Sequence, residues 1–223
     1  MQDFFPQVVF TIFDIPVRDT VISTWIMMVI IVGAATVVGR RRPEALEMLV
    51  DFLIDTVSGV IERPAGPYLP FLGTLTIFIA VANVLGVLPS IPLPDGKMLP
   101  IVSPTRDINT PTALALVVFF SVYYFGIREK GLWGYVKDMA SPIFMLPMEL
   151  ISHVSRTLSL TLRLFGNIIS TELIVAVIFA LVPLFAPLLL VAFSMFTGIL
   201  QAYIFTVLAA VYIGAGLESE NNK

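Results

Sequence analysis

Cysteine is absent from the 223 residues, which rules out disulfides and thiolate metal sites, and the single histidine, His153, rules out a multi-histidine centre. No metal or other cofactor is expected. Charge is scarce as well, at 13% of residues. The formal net charge of -3 is too small to imply a nucleic-acid partner, and the few basic residues sit beside apolar segments rather than forming a groove. There is no phosphate loop and no convincing catalytic constellation, so chemical catalysis by this chain is not expected. Met1 to Asp19 lacks a basic n-region and does not read as a cleavable signal peptide. What the chain has in abundance is apolar side chains: 57% hydrophobic residues and a mean hydropathy of +0.94 exceed what a water-soluble core absorbs. The composition defines an all-α integral membrane protein.

A helix rises 1.5 Å per residue, so roughly 20 apolar residues cross about 30 Å of hydrocarbon. Charge-free intervals of that length, and one apolar stretch interrupted by Arg163 and Glu172, mark the spans. Thr20 to Gly39 is the first; Pro64 to Pro94 holds the second, with Phe71 to Leu88 its helical part before prolines 89, 92 and 94. Ile108 to Ile127 is the third. Leu158 to Leu181 is the fourth, and the charge-free run from Leu173 to Leu217 leaves room for a fifth after a turn at Pro183 to Pro187. The last two crossings therefore read as a long helical hairpin. Between the first two, Glu44, Glu47, Asp51, Asp55 and Glu62 line one helical face, with Leu46, Leu49, Val50, Leu53, Val57 and Ile61 opposite. That pattern predicts an amphipathic helix in the membrane surface. No internal repeat or low-complexity tract divides the chain, and 1–223 reads as one membrane domain.

Basic residues set the orientation: Arg40, Arg41, Arg42, Arg63, Arg128, Lys130, Lys137 and Lys223 fall on one side, and Arg18, Lys97 and Arg106 on the other. The excess predicts a cytoplasmic C-terminus and, after five crossings, an N-terminus outside.

Inside the fourth span stands Arg163, a guanidinium that cannot shed its proton and that costs at least about 3 kcal/mol at mid-membrane on insertion scales. At about 100° per residue, Glu149, His153, Arg156, Arg163 and Asn167 fall within an arc of about 80°, flanked by Ser152, Ser159 and Ser170. Such a stripe is expected to face protein or water rather than acyl chains. No acid lies three or four residues from Arg163, and Glu172, nine residues on, points nearly the opposite way. On the fifth span Ser194, Thr197 and Gln201 form a second polar line, with Gly198 allowing close approach of a neighbour. Gln201 is the expected partner of Arg163, because an amide can share a guanidinium's hydrogen bonds without quenching its charge.

Leu160, Thr161, Leu162, Arg163, Leu164, Phe165, Gly166 and Asn167, followed by Glu172, resemble the signature of subunit a of F-type ATP synthases. So does the run Leu200 to Leu208 around Gln201, followed by Val211 and Tyr212, and so do Ser103, Pro104, Thr105, Arg106, Asp107 and Asn109 with Lys130, Gly131 and Gly134. The resemblance covers nearly the whole chain. It implies a stator in a bacterial-type inner (plasma) membrane, held by the b subunits of a peripheral stalk beside a rotating ring of c subunits. The last two helices would lie against that ring, with protons or sodium ions passing through two offset half-channels. It implies further that Arg163 meets the ring's carboxylates with Gln201 and Asn167 as neighbours. Glu172 would line the outer half-channel with Ser194, and Glu149 with His153 the cytoplasmic one. Relatives carrying histidine and glycine where Ser194 and Thr171 stand, or aspartate where Gly86 stands, build that outer path differently. Two other readings compete. One is a stand-alone secondary transporter or channel that binds an anionic substrate at Arg163; the other is a structural anchor that presents its acidic surface helix to partners.

Overall fold

The computed structural model describes residues 8–12, 15–61, 64–87, 102–139, 146–182 and 186–217. Glu62, Arg63, the prolines at 89, 92, 94 and 183, Lys97 and Lys223 lie outside the described residues. Strands β1 (Val8–Ile12) and β2 (Ile15–Arg18) form a small antiparallel hairpin that runs directly into the first helix. The sequence pattern did not announce it, since a two-stranded ribbon this short has too few alternating positions to register. The rest is helical: α1 (Asp19–Arg41), α2 (Pro43–Ser58), α3 (Leu69–Val87), α4 (Asn109–Met139), α5 (Leu146–Leu181) and α6 (Ala186–Leu217). Five of these are long and apolar enough to cross a membrane, and the exception is α2.

Local chemistry accounts for the boundaries. Asp19 opens α1 and Arg40 and Arg41 close it, each charge matched to the helix end it occupies. Arg42 leaves helical geometry at φ -143° and ψ 66°, and Pro43, which has no N–H to lose, starts α2 in a new direction. On α2 the acids Glu44, Glu47, Asp51 and Asp55 are exposed while Leu53 and Val57 are buried against the bundle. The greasy face is only partly covered, because Leu49, Val50 and Phe52 remain exposed. Asp107 starts α4 by accepting from the backbone N–H of Asn109 at 3.1 Å.

The third span runs longer than its apolar interval. The charged residues after Ile127, expected in a loop, belong to α4, which is broken once at Gly131 (φ 74°, ψ 159°). Only glycine enters that region freely, so the chain re-aims there and continues helically. The continuation lays Tyr135 against Gly126, where any Cβ would collide with the tyrosine ring. Helix α5, with 36 residues, is about 54 Å long at the usual rise, well beyond a single perpendicular crossing.

Helix α6 is the hub. It packs most extensively on α3 and then on α4 and α5, with Phe205, Ala209 and Ile213 fully buried beside Leu72, Ile79, Val118, Leu160 and Leu164. Small residues make this approach possible: a Cβ on Gly198 would stand 3.0 Å from Asn83 Cβ, and one on Gly216 would stand 2.9 Å from Val122 Cγ1. The packing also sorts the ends. Ile61 lies next to Gly214 and Tyr68 meets Phe125 edge to face, so Arg40, Arg41, Arg42, Arg128, Lys130 and Lys137 gather at one end. Arg18 and Arg106 lie at the other, which matches the division expected from the sequence.

Candidate functional site

The expected polar stripe on α5 straddles the edge between a buried and an exposed face. Leu160, Leu164 and Ile168, at four-residue spacing, take the inner face. Arg163 is therefore turned outward and exposed, among Ser159, Leu162 and Ser170 on the outer surface of the bundle. Among the described residues it has no hydrogen bond and no ion pair. Asn167 is half-buried at the boundary, and His153 is buried against α4.

The hydrogen bond expected between Arg163 and Gln201 is not made. Gln201 shares the inner face of α6 with Gly198, Ala202 and Phe205, whereas Arg163 looks out from α5. Gln201 is 7% exposed and its Nε2 finds no partner among the described residues. A buried amide in that condition costs about 1–3 kcal/mol, a penalty that a water or an approaching group removes. Ser194 is also buried, and its carbonyl accepts from the Thr197 hydroxyl at 3.1 Å, so the polar line on α6 is partly spent on its own helix.

Toward one end of the bundle, Glu172 lies in a cavity of about 340 Å³ between α3, α5 and α6, lined by Gly86, Val87, Arg106, Thr171, Glu172 and Val191 among others. A water molecule occupies about 30 Å³ of liquid, so several fit. Glu172 faces away from Arg163 as expected and has a partner the sequence did not suggest: Arg106 Nε stands 3.2 Å from its Oε2. Gly86 leaves no room for an acidic side chain here, because a Cβ would run into the Cβ of Ser103.

Toward the other end, Glu149 is exposed and its Oε1 lies 3.8 Å from His153 Nε2. That distance is too long for a hydrogen bond but within ion-pair reach when the imidazole is protonated. The His153 ring packs on Tyr123, with centroids 5.5 Å apart, and stands edge-on to Phe119 at 6.3 Å. Arg156 places its guanidinium 5.1 Å from the centre of the Tyr212 ring. The cavity between these groups is only about 10 Å³, room for one water at most.

Sequence reasoning missed the buried polar lock that positions Arg106. Asn83, fully buried on α3, donates to the Gly198 carbonyl at 2.9 Å and accepts from Thr105 at 3.4 Å. Ser103 bonds the Thr105 hydroxyl at 2.7 Å and donates to the Ala82 carbonyl at 3.2 Å. Next to them, Asp107 holds Arg18 at 2.6 Å. The available signal was a lone amide inside an apolar span, a residue type that seldom sits in a membrane helix without a partner.

Taken together, five long apolar helices, one of which carries an outward arginine between two clusters of ionisable groups, define an integral membrane protein. Comparison with known proteins places it more closely. Residues 20–214 match the family model described as ATP synthase A chain. The chain is 44% identical over 218 residues to "ATP synthase subunit a 2" of Bradyrhizobium sp., covering 94% of this chain and 93% of that protein. It is 37% identical over 219 residues to "ATP synthase subunit a 1" of Crocosphaera subtropica (94% and 91%) and 39% identical over 215 residues to "ATP synthase subunit a 2" of Acaryochloris marina (92% and 87%). The chain belongs to the ATP synthase A chain family, that of the ion-translocating membrane sector.

Proposed function

We propose that this chain is the ion-conducting, non-catalytic stator subunit of a rotary ATP synthase, oriented with its N-terminus outside and its C-terminus in the cytoplasm. The observation that carries this reading is the placement of Arg163, exposed and unpaired among the described residues, between the Glu172 cavity at one end and the Glu149–His153–Arg156 cluster at the other. An arginine in a purely structural ion pair has its acid within its own chain. An arginine on an exposed α5 face that also carries Leu158 and Leu162 suits a charged partner delivered by another protein.

Physical chemistry then orders the cycle. A carboxylate of a c-subunit ring buried in lipid must carry its ion, since burying it bare is expensive. Opposite Arg163 it can be ionised, so its proton or sodium ion is released into one aqueous path. Continued rotation requires reloading from the other path before the carboxylate re-enters lipid. The same fixed charge repels cations and keeps the two paths apart. Glu172, with Ser194 nearer the start of α6, belongs to the outer path and Glu149 with His153 to the cytoplasmic one. Asn167 borders the arginine one turn along α5, while the Gln201 amide, turned into the bundle and with its Nε2 lacking a hydrogen-bond partner among the described residues, can take up a water. Each elementary charge crossing the full membrane yields about 2.3 kcal/mol per 100 mV, which turns the ring.

Because the chain has no cysteine, a single one introduced at Ser159 reports this face alone. In the assembled complex, Ser159→Cys is expected to form a disulfide with a cysteine placed on the lipid-facing surface of the c subunit. A cysteine there that reacts only with lipid-soluble reagents and never with the ring contradicts the reading.

A further inference from the structure

We propose that Arg106 is a positioning residue of the ion path, a fixed cation that holds Glu172 in the cavity and weakens its grip on the passing cation. The inference rests on reading Glu172 as part of that path. Arg106 comes from the short turn Pro104–Arg106 between α3 and α4, far from α5 in sequence, yet it reaches Glu172 at 3.2 Å with both side chains largely covered, 10% and 19% exposed. Among the described residues around the cavity these are the two charged groups: Gly86 and Val87 of α3 and Val191 of α6 bring none, and Asp107 is turned to Arg18.

The turn is anchored on three sides. Thr105 and Ser103 are buried and bonded to each other, to Asn83 and to the Ala82 carbonyl on α3; Asn83 in turn is tied to α6 through Gly198; and Asp107 is tied to Arg18 at the start of α1. A long, flexible arginine is thus delivered from a rigid base, the arrangement expected where the position of a charge matters rather than its mere presence. A guanidinium within ion-pair distance favours the empty, charged carboxylate over the cation-loaded one by tenfold or more. A bare acid in a half-buried cavity would bind its ion and keep it; one facing Arg106 binds and passes it on. The pair also fixes the carboxylate's direction, since Arg106 engages Oε2.

The test uses the whole complex reconstituted in vesicles. The rate of ATP synthesis is measured against ion concentration on the Glu172 side, titrating sodium at constant pH and then pH in sodium-free buffer. Arg106→Gln is expected to lower the half-saturating ion concentration about tenfold and to lower the maximal rate, because the cation is held longer. Arg106→Lys, which restores the charge, is expected to return the half-saturating value to within about twofold of the unmodified complex. Thr105→Val loosens the base without touching the charge and is expected to shift half-saturation in the same direction by about two- to threefold; it decides the matter alone if Arg106→Gln fails to assemble. An unchanged half-saturating concentration overturns the proposal. A fall in maximal rate alone, unrescued by lysine, also overturns it by assigning Arg106 a structural role. Arg163→Ala, run in parallel, separates the two levels: if it synthesises ATP normally the stator reading itself has failed, whereas its loss of synthesis beside an indifferent Arg106→Gln removes only this inference.

Discussion

The two ends of the bundle solve opposite problems with similar materials. At the Glu172 end an acid and an arginine share a cavity of about 340 Å³, wide enough for a chain of waters. At the other end, acid, histidine and arginine are all present, but Phe119, Tyr123 and Tyr212 fill the space around them and leave about 10 Å³. One end holds its charged pair in an open cleft. At the other, the Glu149, His153 and Arg156 cluster packs among aromatic rings along one edge of α5. The difference teaches that charged residues alone do not make a cavity; the side chains packed between them decide how much space is left.

Substitutions can break that contrast. Glu172→Gln removes the acid of the open end, and the largest effect is expected there: ion flux through reconstituted complexes slowed about tenfold or more without passive leak. Unchanged flux would mean that another group lines the route. Asn83→Ala leaves the Gly198 carbonyl and the Thr105 hydroxyl without their partner and is expected to cost about 1–3 kcal/mol, read as an earlier thermal transition of the complex. At the closed end, His153→Leu keeps the packing against Tyr123 and Phe119 but deletes the partner of Glu149. Flux is expected to fall by only about two- to threefold, since the exposed Glu149 remains hydrated. A loss at His153 larger than that at Glu172 would invert the comparison. The smallest functional effect belongs to Gly131→Ala, which forces a side chain into the glycine region at φ 74° and is expected to cost about 1–3 kcal/mol of stability with little change in flux per assembled complex.

Much of the fold was readable because membrane helices announce themselves by length. Charge-free runs, together with the apolar stretch around Arg163, became five spans, and Pro43 with its spaced acids became α2. The limits appeared where charge was taken as the end of a helix. Arg128, Lys130 and Lys137 do not end α4, which continues past a single glycine. Within the site, Arg163 stood out through its cost, and its lack of an acid neighbour on α5 agrees with its exposed position. The Arg106–Glu172 pair did not stand out, because a turn-borne arginine is ordinary until tertiary packing carries it into a cavity. Gln201 was misjudged for a related reason: helical spacing gives a residue's face but not the rotation of one helix against another, and its amide points into the bundle rather than to Arg163.

The central claim is that the charge of Arg163 keeps two ion paths apart while discharging a partner's carboxylate. Ion-driven ATP synthesis by vesicles containing the fully assembled Arg163→Ala complex tests it most directly. The account predicts that synthesis is lost, below about one hundredth of the unmodified rate, with subunit composition intact. Coupled synthesis at an ordinary rate from that same complex would contradict it.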